Sequence, residues 1–291
     1  MKKVLLYTTL LSLVLTATTT LAASLTIQEQ IGKHLYQDKN LSANQTQSCA
    51  TCHHRSSGFA DPTNRTDPET TVVSLGDDGS SLGGRNAPTS AYCGYSPILT
   101  QNDNGEWTGG MFWDGRATGD RLGDPLAEQA QGPPLNSVEM NLGSVEELVG
   151  IVENSDYAEL FFEIYEDDFF SDTDNAFDEI ARCIAAYERS AELNPFSSRY
   201  DRDGLSGREK QGLAAFNEAG CASCHSDTVP TNAPGAIFTN YGYANIGIPE
   251  NPLLTNAETD LGLGGYLQDA TQDGKFKIPT LRNVARTAPY S

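Results

Sequence analysis

The 291-residue chain carries 39 acidic against 19 basic side chains, for a formal net charge of −20. An acidic balance of that size excludes a nucleic-acid binder, which needs a basic footprint; it suits docking with a basic soluble partner and equally serves solubility alone. The length is enough for one large or two ordinary domains, and 27 glycines with 14 prolines point to long ordered loops.

In chain order, Lys2 and Lys3 followed by the apolar run Val4 to Leu15 read as a secretory signal. The run is short for a membrane span, and the small residues Ala22 and Ala23 offer a cleavage point, giving a signal segment over 1–23. No later stretch is apolar enough to cross a bilayer, so no stable membrane insertion is expected after cleavage. The expected location is a bacterial periplasm.

Thr26-x-x-Glu29 is a capping box that opens a helix with Ile27, Ile31 and Leu35 on one face. Then comes Cys49-Ala-Thr-Cys52-His53. This C-x-x-C-H pattern is that of c-type haem attachment, in which two thiols reach the two vinyl groups of one porphyrin and the next imidazole reaches the iron. A redox C-x-x-C pair or half a zinc site would leave the histidine unexplained. Further on, Ser144-x-x-Glu147 opens a second helix carrying Val145, Leu148, Val149 and Val152. Helical spacing also joins Tyr157, Leu160, Phe161 and Ile164, and then Phe177, Ile180, Ile184 and Tyr187.

The stretch from Asn194-Pro195 to Gly207 reads as a linker. Within it Asp201-Arg202-Asp203-Gly204 mimics the start of a calcium loop, but Gly212 stands where the bidentate glutamate should be, so a turn is expected. Ser206-x-x-Glu209 caps a helix with Leu213 and Phe216 that runs into Cys221-Ala-Ser-Cys224-His225. The second C-x-x-C-H motif makes this a two-haem redox chain. Period-two alternation is scarce, so the expected fold is all-α with much irregular structure. Cys93 and Cys183 remain outside the motifs, and in an oxidising compartment a surplus pair favours a disulfide.

Between and after the haem motifs stand Gly84-Arg85-Asn86-Ala87-Pro88-Thr89, Phe112-Trp113-Asp114-Gly115-Arg116, Glu128-Gln129-Ala130-Gln131-Gly132-Pro133 and Val138-Glu139-Met140. Near the end are Phe276-Lys277-Ile278-Pro279-Thr280-Leu281-Arg282-Asn283-Val284 and Thr287-Ala288-Pro289-Tyr290. In this order the set closely resembles the bacterial di-haem cytochrome c peroxidases and the related methylamine-utilisation maturase.

The resemblance implies two cytochrome c-like haem domains, here 24–195 for the peroxidatic haem and 196–291 for the electron-transferring haem. His53 and His225 would be the proximal ligands, and Cys49, Cys52, Cys221 and Cys224 the attachment thiols. Glu139 and Gln129 match the family's distal carboxylate and glutamine, with Pro133 shaping the pocket and Trp113 relaying electrons between the haems. A calcium ion would take Asn86 and the backbone carbonyls of Thr287 and Pro289, hard oxygen ligands that suit it. The implied activity is reduction of hydrogen peroxide to water with electrons from a small cytochrome c or cupredoxin. A maturase-like oxidase acting on protein side chains and a non-catalytic di-haem carrier are the alternatives, and related enzymes are commonly homodimers.

Two departures matter. Many members carry, before the Arg-Asn-Ala-Pro motif, a histidine that blocks the peroxidatic iron until the other haem is reduced. Here that loop, Leu75-Gly76-Asp77-Asp78-Gly79-Ser80-Ser81-Leu82, has none, so an N-terminal haem open to peroxide without reductive activation is expected. Family members also continue past the Thr-Ala-Pro-Tyr motif with a helix bearing the second haem's distal Met or Tyr. This chain stops at Ser291 with no Met after Met140, so a truncated C-terminal domain is expected.

Overall fold

A computed structural model describes residues 24–249, 251–254 and 259–290, so the signal segment expected over 1–23 lies outside the described residues. The capping box forms as the sequence requires. Thr26 Oγ1 accepts from Glu29 N at 3.2 Å, Glu29 Oε2 accepts from Thr26 N at 2.7 Å, and helix α1 runs Ile27–Gln37.

Helices α2 (Cys49–Cys52), α3 (Pro62–Thr66), α4 (Pro125–Ala130), α5 (Gly132–Leu135) and α6 (Val145–Glu153) follow. The long α7 (Thr173–Arg189), then α8 (Gly207–Glu218) and α9 (Leu263–Leu267), complete the α-helices among the described residues. Strands are vestigial: β1 (Thr100–Gln101) pairs antiparallel with β2 (Trp107–Thr108), and β3 (Tyr243–Ala244) with β4 (Phe276–Lys277). The architecture is helical with long loops.

The core is built where α1 and α6 pack on α7. Ile31 and Leu35 of α1, Leu148, Val149 and Val152 of α6, and Ile180, Cys183 and Ile184 of α7 are buried together. Burying such aliphatic side chains contributes about 1.5–3 kcal/mol each and is the main support of the N-terminal half. At Gly32 the α1 and α7 backbones come so close that an added Cβ would overlap the Cys183 carbonyl. The segment of Tyr157, Phe161 and Ile164 forms a 3-10 helix over Ala158–Glu163 rather than an α-helix. There Phe161 stacks on Phe169 with ring centroids 5.2 Å apart, so aromatic packing sets its geometry.

Cys93 and Cys183 do not form the expected disulfide. Both are free, with Cys93 Sγ donating to Ser90 O at 2.8 Å and Cys183 buried at the α1–α7 crossing beside the Tyr165 hydroxyl. Small size at a tight helix crossing explains Cys183 without any redox role.

The expected linker is anchored at its start and its middle. Buried Asn194 accepts from Tyr92 N and donates to Glu188 O at 2.6 Å, while Asp201 grips Arg282 with Oδ1 2.6 Å from Nη2. The Arg282 guanidinium lies 4.6 Å from the Phe196 ring centroid and 4.8 Å from that of Tyr92. This cage joins the Asn194–Gly207 stretch to the C-terminal Thr-Leu-Arg-Asn motif. By contrast, α8 buries none of its side chains, although its Ser206–Glu209 capping box forms.

Candidate functional site

The two C-x-x-C-H motifs fold alike. In each, the chain makes one helical turn between the cysteines, and the histidine N–H donates back to the first cysteine's carbonyl at 2.9 Å, for both His53 to Cys49 and His225 to Cys221. A spacing of three residues on such a turn puts both thiols on one side. His53 Nδ1 lies 3.2 Å from Phe59 O, and His225 Nδ1 lies 3.1 Å from Phe238 O. A carbonyl bonded at Nδ1 fixes the tautomer that leaves Nε2 as a lone-pair donor, the arrangement typical of a metal-ligating imidazole. Burial also lowers the His53 pKa, keeping the ring in the neutral, ligating form. The donor set of both motifs therefore fits a covalently attached haem.

The two sites differ in cover. Cys49 is half-buried against the core and Tyr36 of α1 donates its hydroxyl to His53 O at 2.8 Å, whereas Cys221 is exposed.

Glu139 stands by the first motif. Its segment folds back under α5: Pro133 O accepts from Met140 N at 3.2 Å and Pro134 O from Leu142 N at 2.8 Å. Pro133 and Pro134 thus lie at the bend that leads to Glu139. A Cβ at Gly132 would come 3.0 Å from the Phe112 ring, which would then have to shift slightly. Glu139 Oε1 accepts from Asn136 Nδ2 at 2.8 Å. Burial pushes the Glu139 carboxyl above its ordinary range, while Arg116 and the Asn136 hydrogen bond act in the lowering direction. The Glu139 charge is also felt at Cys49 and Cys52, whose thiols are raised first of all by burial. Glu139 O also accepts from Asp77 N at 2.8 Å, and Asp77 takes hydrogen bonds from Asn44 N and Thr46 N in the stretch that leads into Cys49.

Gln129 is half-buried on α4, just before the Gly132–Pro133 bend. Trp113 is half-buried and ties two distant segments together. Its Nε1 donates to Asn86 O at 3.1 Å, and its own carbonyl accepts from Lys277 N of β4 at 2.9 Å. Asn86 Nδ2 in turn donates to Pro289 O at 2.9 Å, so two of the three residues expected at the calcium position meet, with the amide nitrogen facing the carbonyl. Thr287 is buried nearby in sequence, with Oγ1 2.9 Å from the Tyr290 hydroxyl.

Neither spare histidine reaches the first site. His34 stacks on Tyr157 with ring centroids 5.2 Å apart, and exposed His54 caps a turn through Nδ1, 2.8 Å from Ser56 Oγ.

Arg116 and Asn136 carry no role in the sequence reading, yet both act on Glu139. Arg116 lies over the Phe112 ring, 3.7 Å from its centroid, and pairs with Asp114 at 2.9 Å. The legible signal was the Asn-x-x-Glu spacing, which places an amide one turn before the carboxylate.

Two haem-attachment turns on one helical scaffold, together with a half-buried carboxyl of raised pKa, define a di-haem c-type oxidoreductase. The family model for di-haem cytochrome c peroxidase matches residues 27–210, and the chain belongs to that family. The methylamine utilization protein MauG of Paracoccus denitrificans is 38% identical over 89% of this chain and 69% of its own. The cytochrome c551 peroxidase of Pseudomonas aeruginosa is 31% identical over 90% of this chain and 66% of its own. The chain thus spans about two thirds of the length of these relatives. Among solved structures, the diheme peroxidase BthA from Burkholderia thailandensis superposes with a TM-score of 0.79 at 28% identity, covering 91% of this chain and 67% of that one. No helix among the described residues is long and apolar enough to cross a membrane.

Proposed function

We propose that the protein reduces hydrogen peroxide to water in the periplasm, drawing two electrons and two protons per peroxide, with a small cytochrome c or cupredoxin as donor. The observation that carries this reading is Glu139: a half-buried carboxyl of raised pKa, oriented by Asn136, in a segment joined through Asp77 to the stretch that leads into Cys49. A carrier of electrons has no use for such a group.

The haems, when bound at the two C-x-x-C-H turns, supply the iron that takes peroxide and a second store of reducing equivalents. Glu139 takes a proton from one peroxide oxygen and returns it to the other as the O–O bond breaks, leaving water. Gln129 supplies an amide donor to the peroxide, and the Arg116 guanidinium favours the charged form of Glu139. Trp113, hydrogen-bonded to both Asn86 and Lys277, is the aromatic relay between the two halves. Residues 24–195 form the peroxidatic domain and 196–291 the electron-entry domain. The acidic surface attracts a basic donor. A calcium ion between Asn86, Thr287 and Pro289 completes the proposal, and requires Asn86 to turn its amide oxygen inward.

Because the 75–82 loop has no histidine and His34 and His54 are engaged elsewhere, the first site is open without prior reduction. A resting EPR spectrum with high-spin ferric signal supports this, and only low-spin bis-histidine iron there sinks it. Peroxide turnover with reduced cytochrome c, compared between the native chain and Glu139→Gln, tests the activity itself.

The 38% identity to a MauG protein favours one second reading, an oxidase that modifies side chains of a partner protein. Protein oxidation by peroxide with no turnover of reduced cytochrome c would select it.

A further inference from the structure

The 75–82 loop, which holds no histidine, is a tight hairpin. Gly76 N donates to Ser81 O at 2.7 Å, Gly83 N to Ser74 O at 3.0 Å, and Leu75 bridges Leu82 across its base. Apolar burial does not hold it in place, for Leu75 and Leu82 are 48% and 53% exposed. A hairpin this small is at best marginal alone.

What ties it down is Asp77, only 3% exposed. Its Oδ2 accepts from Asn44 N at 2.6 Å and Asn44 Nδ2 at 2.7 Å, and its Oδ1 accepts from Thr46 Oγ1 at 2.6 Å and Thr46 N at 3.2 Å. Three of these contacts come from N–H groups, which can only donate, so the carboxylate form is favoured. Burial alone would push this carboxyl up, but the Thr46, Ser42 and Asn44 hydrogen bonds prevail and hold it down at about 2. The same residue's backbone N–H donates to Glu139 O at 2.8 Å. Gly76 sits so close to Val138 O that no side chain fits between them, and Ala43 N reaches Met140 O at 2.9 Å. Three segments, 42–47, 74–83 and 136–142, are thus stitched around one buried carboxylate.

We propose that Asp77 is a positioning residue for the peroxide chemistry: it latches the 74–83 hairpin to the 44–46 turn and through its backbone N–H fixes Glu139 in place. The proposal rests on the reading of Glu139 as the distal acid–base.

The test uses the haem-loaded full chain with Asp77→Asn, Asp77→Ala and the milder Thr46→Val. Asp77→Asn turns an NH2 group toward Asn44's donors while keeping an acceptor for Thr46. Amide hydrogen exchange over 75–83 and 136–141 should quicken at least about tenfold, the local opening that loss of a latch allows. The peroxide rate should fall about 10–100-fold, the scale of a small misplacement of a reacting group, with the KM for the electron donor unmoved. Thr46→Val should move both readouts the same way by less. Unchanged exchange in Asp77→Asn and Asp77→Ala overturns the latch. Faster exchange with an unchanged peroxide rate overturns the positioning role. If Glu139→Gln also reacts like the native chain while the hairpin still loosens in the Asp77 variants, the reading of Glu139 itself has failed, and the positioning role falls with it.

Discussion

Asn136 holds Glu139 twice: its side-chain amide donates to Glu139 Oε1 at 2.8 Å, and its carbonyl accepts the Glu139 backbone N–H at 3.0 Å. The carboxyl is therefore aimed by a turn that closes on itself within four residues. Removing the acid–base in Glu139→Gln should slow peroxide cleavage about 10²–10⁴-fold with both haems retained. The pH profile gives a finer check. Burial raises the Glu139 pKa, and only the deprotonated form can accept a proton, so the rate should climb with pH through that value. Asn136→Ala deletes a donor that favours the charged form, so this acidic limb should move to higher pH. A limb that stays fixed in stopped-flow measurements would show that another group titrates there.

Much of this site could be read from the chain, because covalent haem attachment forces a local pattern. Cys49, Cys52 and His53 must be near neighbours in sequence, and so must Cys221, Cys224 and His225. The capping boxes at Thr26 and Ser206 are equally local, and both form. What could not be read depends on contacts across the sequence. The Arg282–Asp201 cage joins residues 81 apart, and the Asp77 latch joins residues about 30 apart, through loops without periodicity. The pairing expected of Cys93 and Cys183 failed for the same reason. Composition counts thiols, but the α1–α7 crossing at Gly32 decides where Cys183 lies.

That crossing can be tested directly. Gly32→Ala drives a methyl into the Cys183 carbonyl, so α1 must shift, at a cost of about 3 kcal/mol typical of overpacking a close contact. Denaturant titration should show the lower midpoint. With the haem thioethers intact, thiol labelling in denaturant without reductant should then find two reactive thiols, Cys93 and Cys183, in both native and variant chains. No reactive thiol would mean that the two are bridged.

The Asp201–Arg282 pair should govern acid stability of the C-terminal half. Both side chains are buried, 8% and 6% exposed, and the guanidinium with the Ser198 hydrogen bonds holds the Asp201 carboxyl down at about 2. A carboxyl whose folded pKa is depressed contributes stability that is present above its unfolded value, near 4. That contribution, about 2 kcal/mol, is lost as pH falls from about 4 through 2. Asp201→Asn should flatten the acid limb of a thermal-melting profile across this window. Asp201→Ala should cost more, about 3–5 kcal/mol, because it strands the Arg282 cation among Tyr92, Phe196 and Phe238.

Glu188 predicts the opposite slope at the alkaline end. It lies on α7, 4% exposed, with Oε2 lacking a hydrogen-bond partner, and burial pushes its carboxyl up to about 8 despite the neighbouring Arg189 cation. The folded chain then binds a proton that the unfolded chain has already released. Between the unfolded value near 4 and about 8, stability therefore falls as pH rises, by a total on the order of 4 kcal/mol. Above 8 the loss is complete, because both states are ionised there and the folded one holds a buried carboxylate whose Oε2 has no hydrogen-bond donor. Glu188→Gln keeps the shape and removes the charge, so it should leave Tm near pH 5 almost unchanged and raise it at pH 8–9. If the variant and the native chain melt with the same pH dependence, Glu188 is already paired in the folded protein, and its burial is not the cause of any alkaline loss.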